Sequence, residues 1–249
     1  MIYIRSTLYN IFQALSAIFF GLITSIIFVL PLKLRFRIIL GYAYSNMAAL
    51  RYLAGLKINI IGKENIPKVA SIIMCNHQST WETYALQTIF PHHVWVLKKQ
   101  LVKVPFFGWG LAALEPIAID RSAKKRAMDQ INEQGIQRIK QNLWIVIFPE
   151  GTRIPAGKKG KYKLGGARLC SATHAPAVPV AHNGGEFWPK GSFLIKPGTV
   201  TLKIGKAIDP EGKTAEEINS LVENWIEGVM EEITDPKLKP IQQINQKVN

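Results

Sequence analysis

The chain is short of cysteine, histidine and acid. Of its 249 residues two are cysteines, Cys75 and Cys170. A chain this long builds its stability from a core rather than from cross-links, so both thiols are expected free, in a reducing compartment. The five histidines show no metal-ligand spacing, and His92 and His93 are merely adjacent, so no metal is expected. No Gly-x-Ser-x-Gly elbow is present, which excludes the usual serine hydrolase nucleophile. Acid is scarce: 17 Asp and Glu stand against 31 Lys and Arg, a formal net charge of +14. That balance calls for an anionic partner, whether nucleic acid, a membrane surface or acidic substrates. Hydrophobic residues make up 48% and the mean hydropathy is +0.09. These values favour anionic membrane lipids over nucleic acid, for which there is no recognition motif.

Charge is also missing from one long stretch. Between Ser6 and Leu32 there is no charged residue, and Ala14 to Val29 is almost wholly apolar. A membrane-crossing helix needs about 20 residues, so the run is long enough to span or to dip into one leaflet and return. A cleaved leader is not expected: no small-x-small site follows, and Lys33, Arg35 and Arg37 come at once, which would hold the downstream side in the cytoplasm. Phe36 to Leu53 continues with a helical pattern and interleaved tyrosines, as an interfacial or core helix. The division expected is residues 1–56 as membrane-anchoring helices, 57–234 as one globular domain, and 235–249 as a loose polar tail.

Past residue 56, strands and helices alternate. Strands are expected at Lys57–Gly62, Val69–Met74, Val94–Leu97, Ile117–Ile119, Leu143–Phe148 and Ala177–His182, with a hairpin over Phe193–Ile204 turning at Lys196-Pro197-Gly198. Leu143–Phe148 is fully apolar and hence interior and parallel. Helices are expected up to Phe90, over Ala123–Gln141, Gly166–His174 and Thr214–Ile233, the last opened by a Thr214/Glu217 capping box. The fold class is therefore α/β, a mainly parallel sheet flanked by helices, with an N-terminal membrane-embedded helical segment. Val104 to Gly110 is bulky and aromatic; it belongs either to the core, which composition favours, or to the wall of an apolar channel. The loop Gly157 to Gly166, rich in Gly and Lys, either meets phosphates or is simply solvated.

The organising stretch is Asn76-His77-Gln78-Ser79-Thr80-Trp81-Glu82, at a strand-to-helix turn. Glu82 lies about one helical turn beyond His77, close enough to bind one ring nitrogen and leave the other as a base. The alternative is local: Ser79 or Thr80 caps the helix and Glu82 is its acidic first-turn residue. Cys75 with His77 as a thiol–base pair is a weaker reading, since the run before Cys75 is apolar and nothing else lowers the thiol pKa.

Four stretches stand in one order along the chain. They are His77 to Glu82, Ile117-Ala118-Ile119-Asp120-Arg121, Phe148-Pro149-Glu150-Gly151-Thr152-Arg153, and Val178-Pro179-Val180-Ala181-His182-Asn183. Together they resemble the four motif blocks of the glycerolipid acyltransferases, and within them the bacterial lysophosphatidic acid acyltransferases. The match covers roughly residues 57 to 210. It departs in the first block, where the family usually has Asp in the place of Glu82. The resemblance implies acyl transfer from an acyl-CoA or acyl carrier protein thioester to a lysophosphatidic acid, with no cofactor; the alternatives are an acyltransferase or transacylase acting on another lyso-lipid, or a non-catalytic membrane lipid-binding protein. It implies His77 as base and Glu82 as its orienting acid. Arg153 and then Arg121 would hold the acceptor phosphate, while Phe148, Glu150, Gly151 and Thr152 shape the acceptor site. Lys98 and Lys99 are further basic candidates, and His182 is structural. The expected location is the inner membrane, with the catalytic domain facing the cytoplasm.

Overall fold

A computed structural model describes residues 1–120 and 124–238. The N-terminal segment is a helical hairpin of α1 (Ile2–Ile27) and α2 (Leu32–Ala49), and α2 runs on through a wider π-type turn, Leu50–Ala54. Gly55, at φ 73°, ends it in a left-handed conformation open to glycine, and the chain enters β1 (Leu56–Ile61).

The remaining elements are β2 (Ile72–Cys75), α3 (Trp81–Ile89), β3 (His93–Lys98), α4 (Phe107–Ala113), β4 (Ile117–Ile119), α5 (Lys124–Lys140), β5 (Trp144–Ile147), α6 (Gly165–Thr173), β6 (Ala177–His182), α7 (Gly184–Phe187), β7 (Gly198–Ile204) and α8 (Ala215–Ile233). The seven strands form one sheet in the order β1-β7-β6-β2-β5-β3-β4. Every neighbouring pair is parallel except β6 with β7.

Strands β2 and β5 are buried along their whole length, because both faces of the sheet are covered. Ile72, Met74, Ile145 and Ile147 point into one apolar cluster, with residues of α5, α6 and α8. Ile73, Cys75, Trp144 and Val146 point into the other, with residues of α1, α2 and α3. This two-sided burial is why these runs are continuous rather than alternating. The α8 capping box forms: the Thr214 hydroxyl accepts from the Glu217 amide at 3.2 Å, and the Glu217 carboxylate accepts from the Thr214 amide at 2.7 Å.

Two expectations need correction. Phe193–Ile204 is not a hairpin. Only Gly198–Ile204 is a strand, and it pairs with β1 and β6. The residues before it are held instead by α1: the Ile195 amide donates to Ser6 Oγ at 2.9 Å, and Asn10 Nδ2 donates to the Phe193 carbonyl at 3.0 Å. Gly198 is glycine because a Cβ there would run into the Phe187 ring, a close approach rather than a turn. Second, of the two readings of Val104–Gly110, core does not hold at Val104, Phe106 or Trp109. Val104 and Trp109 are exposed, whereas Phe106 faces a cavity.

Candidate active site

Strands β2, β5, β3, β4 and β6 run the same way, so their carboxyl ends meet along one rim. Ligands in open α/β sheets bind at such a rim. Chain that leaves β2 carries His77, chain that leaves β5 carries Phe148 to Arg153, and β6 ends at His182.

His77 and Glu82 meet. Nδ1 of His77 lies 2.7 Å from Glu82 Oε1. The carboxylate is fully buried and also accepts from the Gln78 amide at 3.0 Å and the Ser79 amide at 2.9 and 3.0 Å. So Glu82 is both the acidic group of the α3 first turn and the partner of the ring. Burial alone would raise its pKa. The facing His182, the His77 bond and the Ser79 amide reverse the sign and hold it below its ordinary value. An ionised Glu82 only accepts, so Nδ1 carries a proton, and in the neutral ring the lone pair is then on Nε2.

His182 packs behind this pair, fully buried, with Nε2 3.8 Å from Glu82 Oε2. Its Nδ1 accepts from the Gly184 amide at 3.0 Å, and its Nε2 donates to the Asn76 carbonyl at 3.1 Å. Burial lowers its pKa, and these partners suit a neutral ring. Asn76 also bonds the His182 backbone twice, donating through Nδ2 at 2.9 Å and accepting through Oδ1 at 3.0 Å. These bonds lock β2 to β6 just below the His77 turn.

The third block closes over His77. The Phe148 ring stacks on the imidazole, with centroids 3.9 Å apart and planes 14° apart. Glu150 Oε2 accepts from the His77 amide at 2.7 Å, and the Ile154 amide donates to the His77 carbonyl, also at 2.7 Å. The His77 backbone is thus clamped on both sides. Burial pushes the Glu150 carboxyl up to about 8 against the pull of the His77 amide, with Glu227 and Glu82 adding to the rise.

Gly151, Thr152 and Arg153 line a cavity of about 420 Å³ together with His77 and Phe148. Its far wall is apolar: Phe20 and Gly21 of α1, Ala43 of α2, Trp95 and Leu97 of β3, Phe106, and Leu111 of α4. The cavity therefore lies between the N-terminal hairpin and the sheet. Arg153 Nε is buried and has no hydrogen-bond partner among the described residues. Lys98 reaches the cavity wall and Lys99 does not; Arg121 lies outside the described residues.

Other candidates do not line the cavity, although the Gly157–Gly166 loop borders the third block: the Lys163 amide donates to the Pro149 carbonyl at 2.9 Å and its ammonium lies against Gly151. The Gly157–Gly166 loop contributes nothing to the cavity wall; Lys159 pairs with Glu223 of α8 at 2.9 Å, and the Tyr162 hydroxyl donates to Glu227 at 2.9 Å. Burial pushes the Cys75 thiol well above its ordinary value, with Glu82 and Glu150 adding to it. That leaves no thiolate for a nucleophilic role. Sequence reasoning did not single out Tyr84, Trp95 or Lys190 as wall residues. An exposed lysine after Trp188-Pro189 carries no signal in a sequence.

An acid–histidine pair at a strand-end rim, opening on an apolar cavity, suits acyl transfer. Comparison with known proteins agrees. Residues 57–183 match the Acyltransferase family model, and the chain belongs to that family. The chain is 40% identical over 245 residues to the 1-acyl-sn-glycerol-3-phosphate acyltransferase of Pseudomonas aeruginosa, covering 96% of this chain and 93% of that one. It is 32% identical over 181 residues to the enzyme of the same name from Saccharomyces cerevisiae, 70% of this chain and 59% of that one. Its fold is similar to the crystal structure of the 1-acyl-sn-glycerophosphate (LPA) acyltransferase, PlsC, from Thermotoga maritima. The TM-score is 0.77 and the identity 25%, over 92% of this chain and 94% of that one.

Proposed function

We propose that this acyltransferase moves a fatty acyl group from an acyl-CoA or acyl carrier protein thioester to the sn-2 hydroxyl of 1-acyl-glycerol-3-phosphate, giving phosphatidic acid. The observation that carries this reading is the 2.7 Å bond between His77 Nδ1 and a buried, depressed Glu82 at the mouth of an apolar cavity.

In the reaction, His77 Nε2 takes the acceptor hydroxyl proton as the oxygen attacks the thioester carbonyl. Glu82 holds the ring in the productive tautomer and stabilises the imidazolium. When the tetrahedral adduct collapses, the carbon–sulfur bond breaks and the imidazolium proton goes to the departing thiolate. No covalent enzyme intermediate and no cofactor is required, because the thioester is already activated. The apolar cavity takes an acyl chain. Arg153, whose Nε has no partner among the described residues, takes the acceptor phosphate. Phe148 and Glu150 hold His77 in place, and Gly151 and Thr152 border the acceptor.

The N-terminal helices act as the membrane anchor. Helix α1 is long and apolar enough to cross a bilayer, yet it lies against the domain. Arg5 Nε donates to the Leu53 carbonyl at 3.0 Å near its start. Near its end Gly21 meets Phe106 so closely that a Cβ would sit 2.6 Å from the Phe106 Cα. Its outer face is an apolar stripe, Ile4, Leu8, Ile11, Leu15, Ile18, Phe19, Leu22 and Ile26, all exposed, with Thr7 as a polar residue among them. A helix fastened along its length, with one face open, suits burial in one leaflet with the domain on the cytoplasmic side of the inner membrane.

The test is phosphatidic acid formation by purified protein in mixed micelles, beside His77→Ala. The wild type is expected to form product. The variant is expected to lose at least a hundredfold in rate, while its unfolding temperature and membrane retention stay unchanged. Turnover retained by a folded His77→Ala protein would remove His77 as the base.

A further inference from the structure

Three cationic residues line the cavity: Lys98, Arg153 and Lys190. Lys190 comes from a segment that none of the motif blocks contains and that lies past the matched residues 57–183. We propose that Lys190 is a second phosphate-binding residue of the site, a cation that shares a substrate phosphate with Arg153. This inference rests on the reading of the cavity as the place where a phosphorylated substrate is acylated.

Three observations carry it. The first is placement. Lys190 lines the same cavity as His77, Gly151, Thr152 and Arg153, although it lies more than 100 positions from His77 in the sequence.

The second is rigidity. The Ser192 amide donates to the Pro189 carbonyl at 3.1 Å, and Gly191 sits at φ 74° with open space around it. That is a type II turn with Lys190 at its first corner. The turn is fastened to the catalytic loop itself. Ser79, whose amide holds Glu82, donates its hydroxyl to the Trp188 carbonyl at 2.6 Å. Trp188 Nε1 donates to the Ser192 carbonyl at 3.1 Å, and the Tyr9 ring meets the Trp188 ring edge-on at 5.4 Å. A lysine needed only for solubility does not need a fixed base. One that must keep register with His77 does.

The third is charge. Lys159 and Lys203 pair with Glu223 and Glu232, whereas Lys190 pairs with no acidic side chain among the described residues. A phosphomonoester carries about −1.5 to −2 charges near neutral pH, more than one guanidinium offsets, so close binding favours further cations beside Arg153, and Lys190 is one of the two lysines that line the same wall.

The phosphate has two possible sources, the lyso-lipid acceptor and the phosphates of the thioester donor. The experiment separates them. In nonionic micelles, KM for acceptor, KM for donor, and Kd for dodecyl phosphate, an unreactive probe, are measured for wild type, Lys190→Gln, Lys190→Arg, Arg153→Ala and Lys196→Gln. Lys196 is a nearby exposed lysine that does not reach the cavity, so its variant controls for general loss of positive charge. Lys190→Gln is expected to raise acceptor KM and probe Kd about tenfold with kcat nearly kept. Lys190→Arg should restore both, and Lys196→Gln should change neither. A rise in donor KM alone, for both donor types, keeps the proposal and assigns the phosphate to the donor. All three constants within twofold of wild type for Lys190→Gln would overturn it. If the wild type fails to acylate 1-acyl-glycerol-3-phosphate at all, the proposed reaction falls while the dodecyl phosphate Kd still decides the role of Lys190.

Discussion

The length of one side chain sets the site at the residue scale. Glu82 reaches His77 Nδ1 from the first turn of α3 while its other oxygen accepts from the Ser79 amide and faces His182. An aspartate there is one methylene shorter. It would keep its charge but withdraw from either the ring or the amides. Glu82→Asp is therefore expected to lower kcat about tenfold with both KM values kept. Glu82→Gln, which removes the charge that fixes the tautomer, should cost at least a hundredfold. Equal activity of Glu82→Asp and wild type in a steady-state assay would mean that α3 shifts to restore the bond. A second prediction concerns Glu150. Its folded pKa, about 8, lies above the usual carboxylate value. Below about pH 4.5 the group is protonated in both folded and unfolded chains, so it adds no pH dependence. As pH rises from there towards 8, the unfolded chain releases the proton first and stability falls. Thermal unfolding from pH 5 to 8 should show a decline that is shallower in Glu150→Gln, whose amide oxygen still accepts from the His77 amide. Parallel curves for the two proteins would show that Glu150 ionises normally.

At the scale of elements, what could be read from sequence depended on whether a pattern was local. β2, β5 and α8 were legible because two-sided burial and a capping box are written in consecutive residues. The turns carrying His77 and Glu150, which the structure brings into contact, were legible as strand-end loops for the same reason, since each follows an apolar strand. β7 was misread because its partner β1 is over 130 positions away, and Ser6 and Asn10 of α1, not a returning strand, hold the residues before it. Lys190 was invisible because only folding brings it to the cavity. The packing of the N-terminal hairpin was equally hidden. Its turn is tied down by Arg35, which donates to the Leu30 carbonyl at 3.0 Å, to the Ala113 carbonyl at 3.1 Å and to Glu115 at 3.2 Å. Glu115 is shared with Arg138 of α5, also at 3.2 Å. Arg35→Ala would leave two carbonyls unpaired, so a loss of about 2 kcal/mol is expected in denaturant unfolding in detergent. A loss below about 0.5 kcal/mol would show that this network is spread over water-filled surface and does not hold α4 against the hairpin.

For the whole molecule, the proposed membrane anchoring rests on two forces, and they can be separated because they respond to different variables. The apolar stripe of α1, with Phe28 and Val29 exposed at the hairpin turn, contributes burial free energy that salt barely alters, about 25 cal/mol per Å² of apolar surface. The net charge of +14 contributes attraction that only anionic lipid supplies, up to about 1 kcal/mol for each basic group near the surface, screened within roughly 10 Å at 0.1 M salt. Binding to vesicles with and without anionic lipid, at 0.05 and about 0.5 M salt, isolates each part. Wild type is expected to bind neutral vesicles at both salt concentrations, and anionic vesicles about tenfold or more tighter at low salt only. Replacing Leu15 and Leu22, both exposed and neither lining the cavity, with serine removes two side chains from the stripe. That should weaken binding to both vesicle types by a similar factor, on the order of a hundredfold, while turnover in detergent micelles stays near wild type. If high salt alone releases the wild-type protein from every vesicle, charge is the whole of its membrane affinity and the stripe must face another protein surface. If the double variant instead loses turnover in micelles, α1 acts on the cavity through its packing rather than on the bilayer.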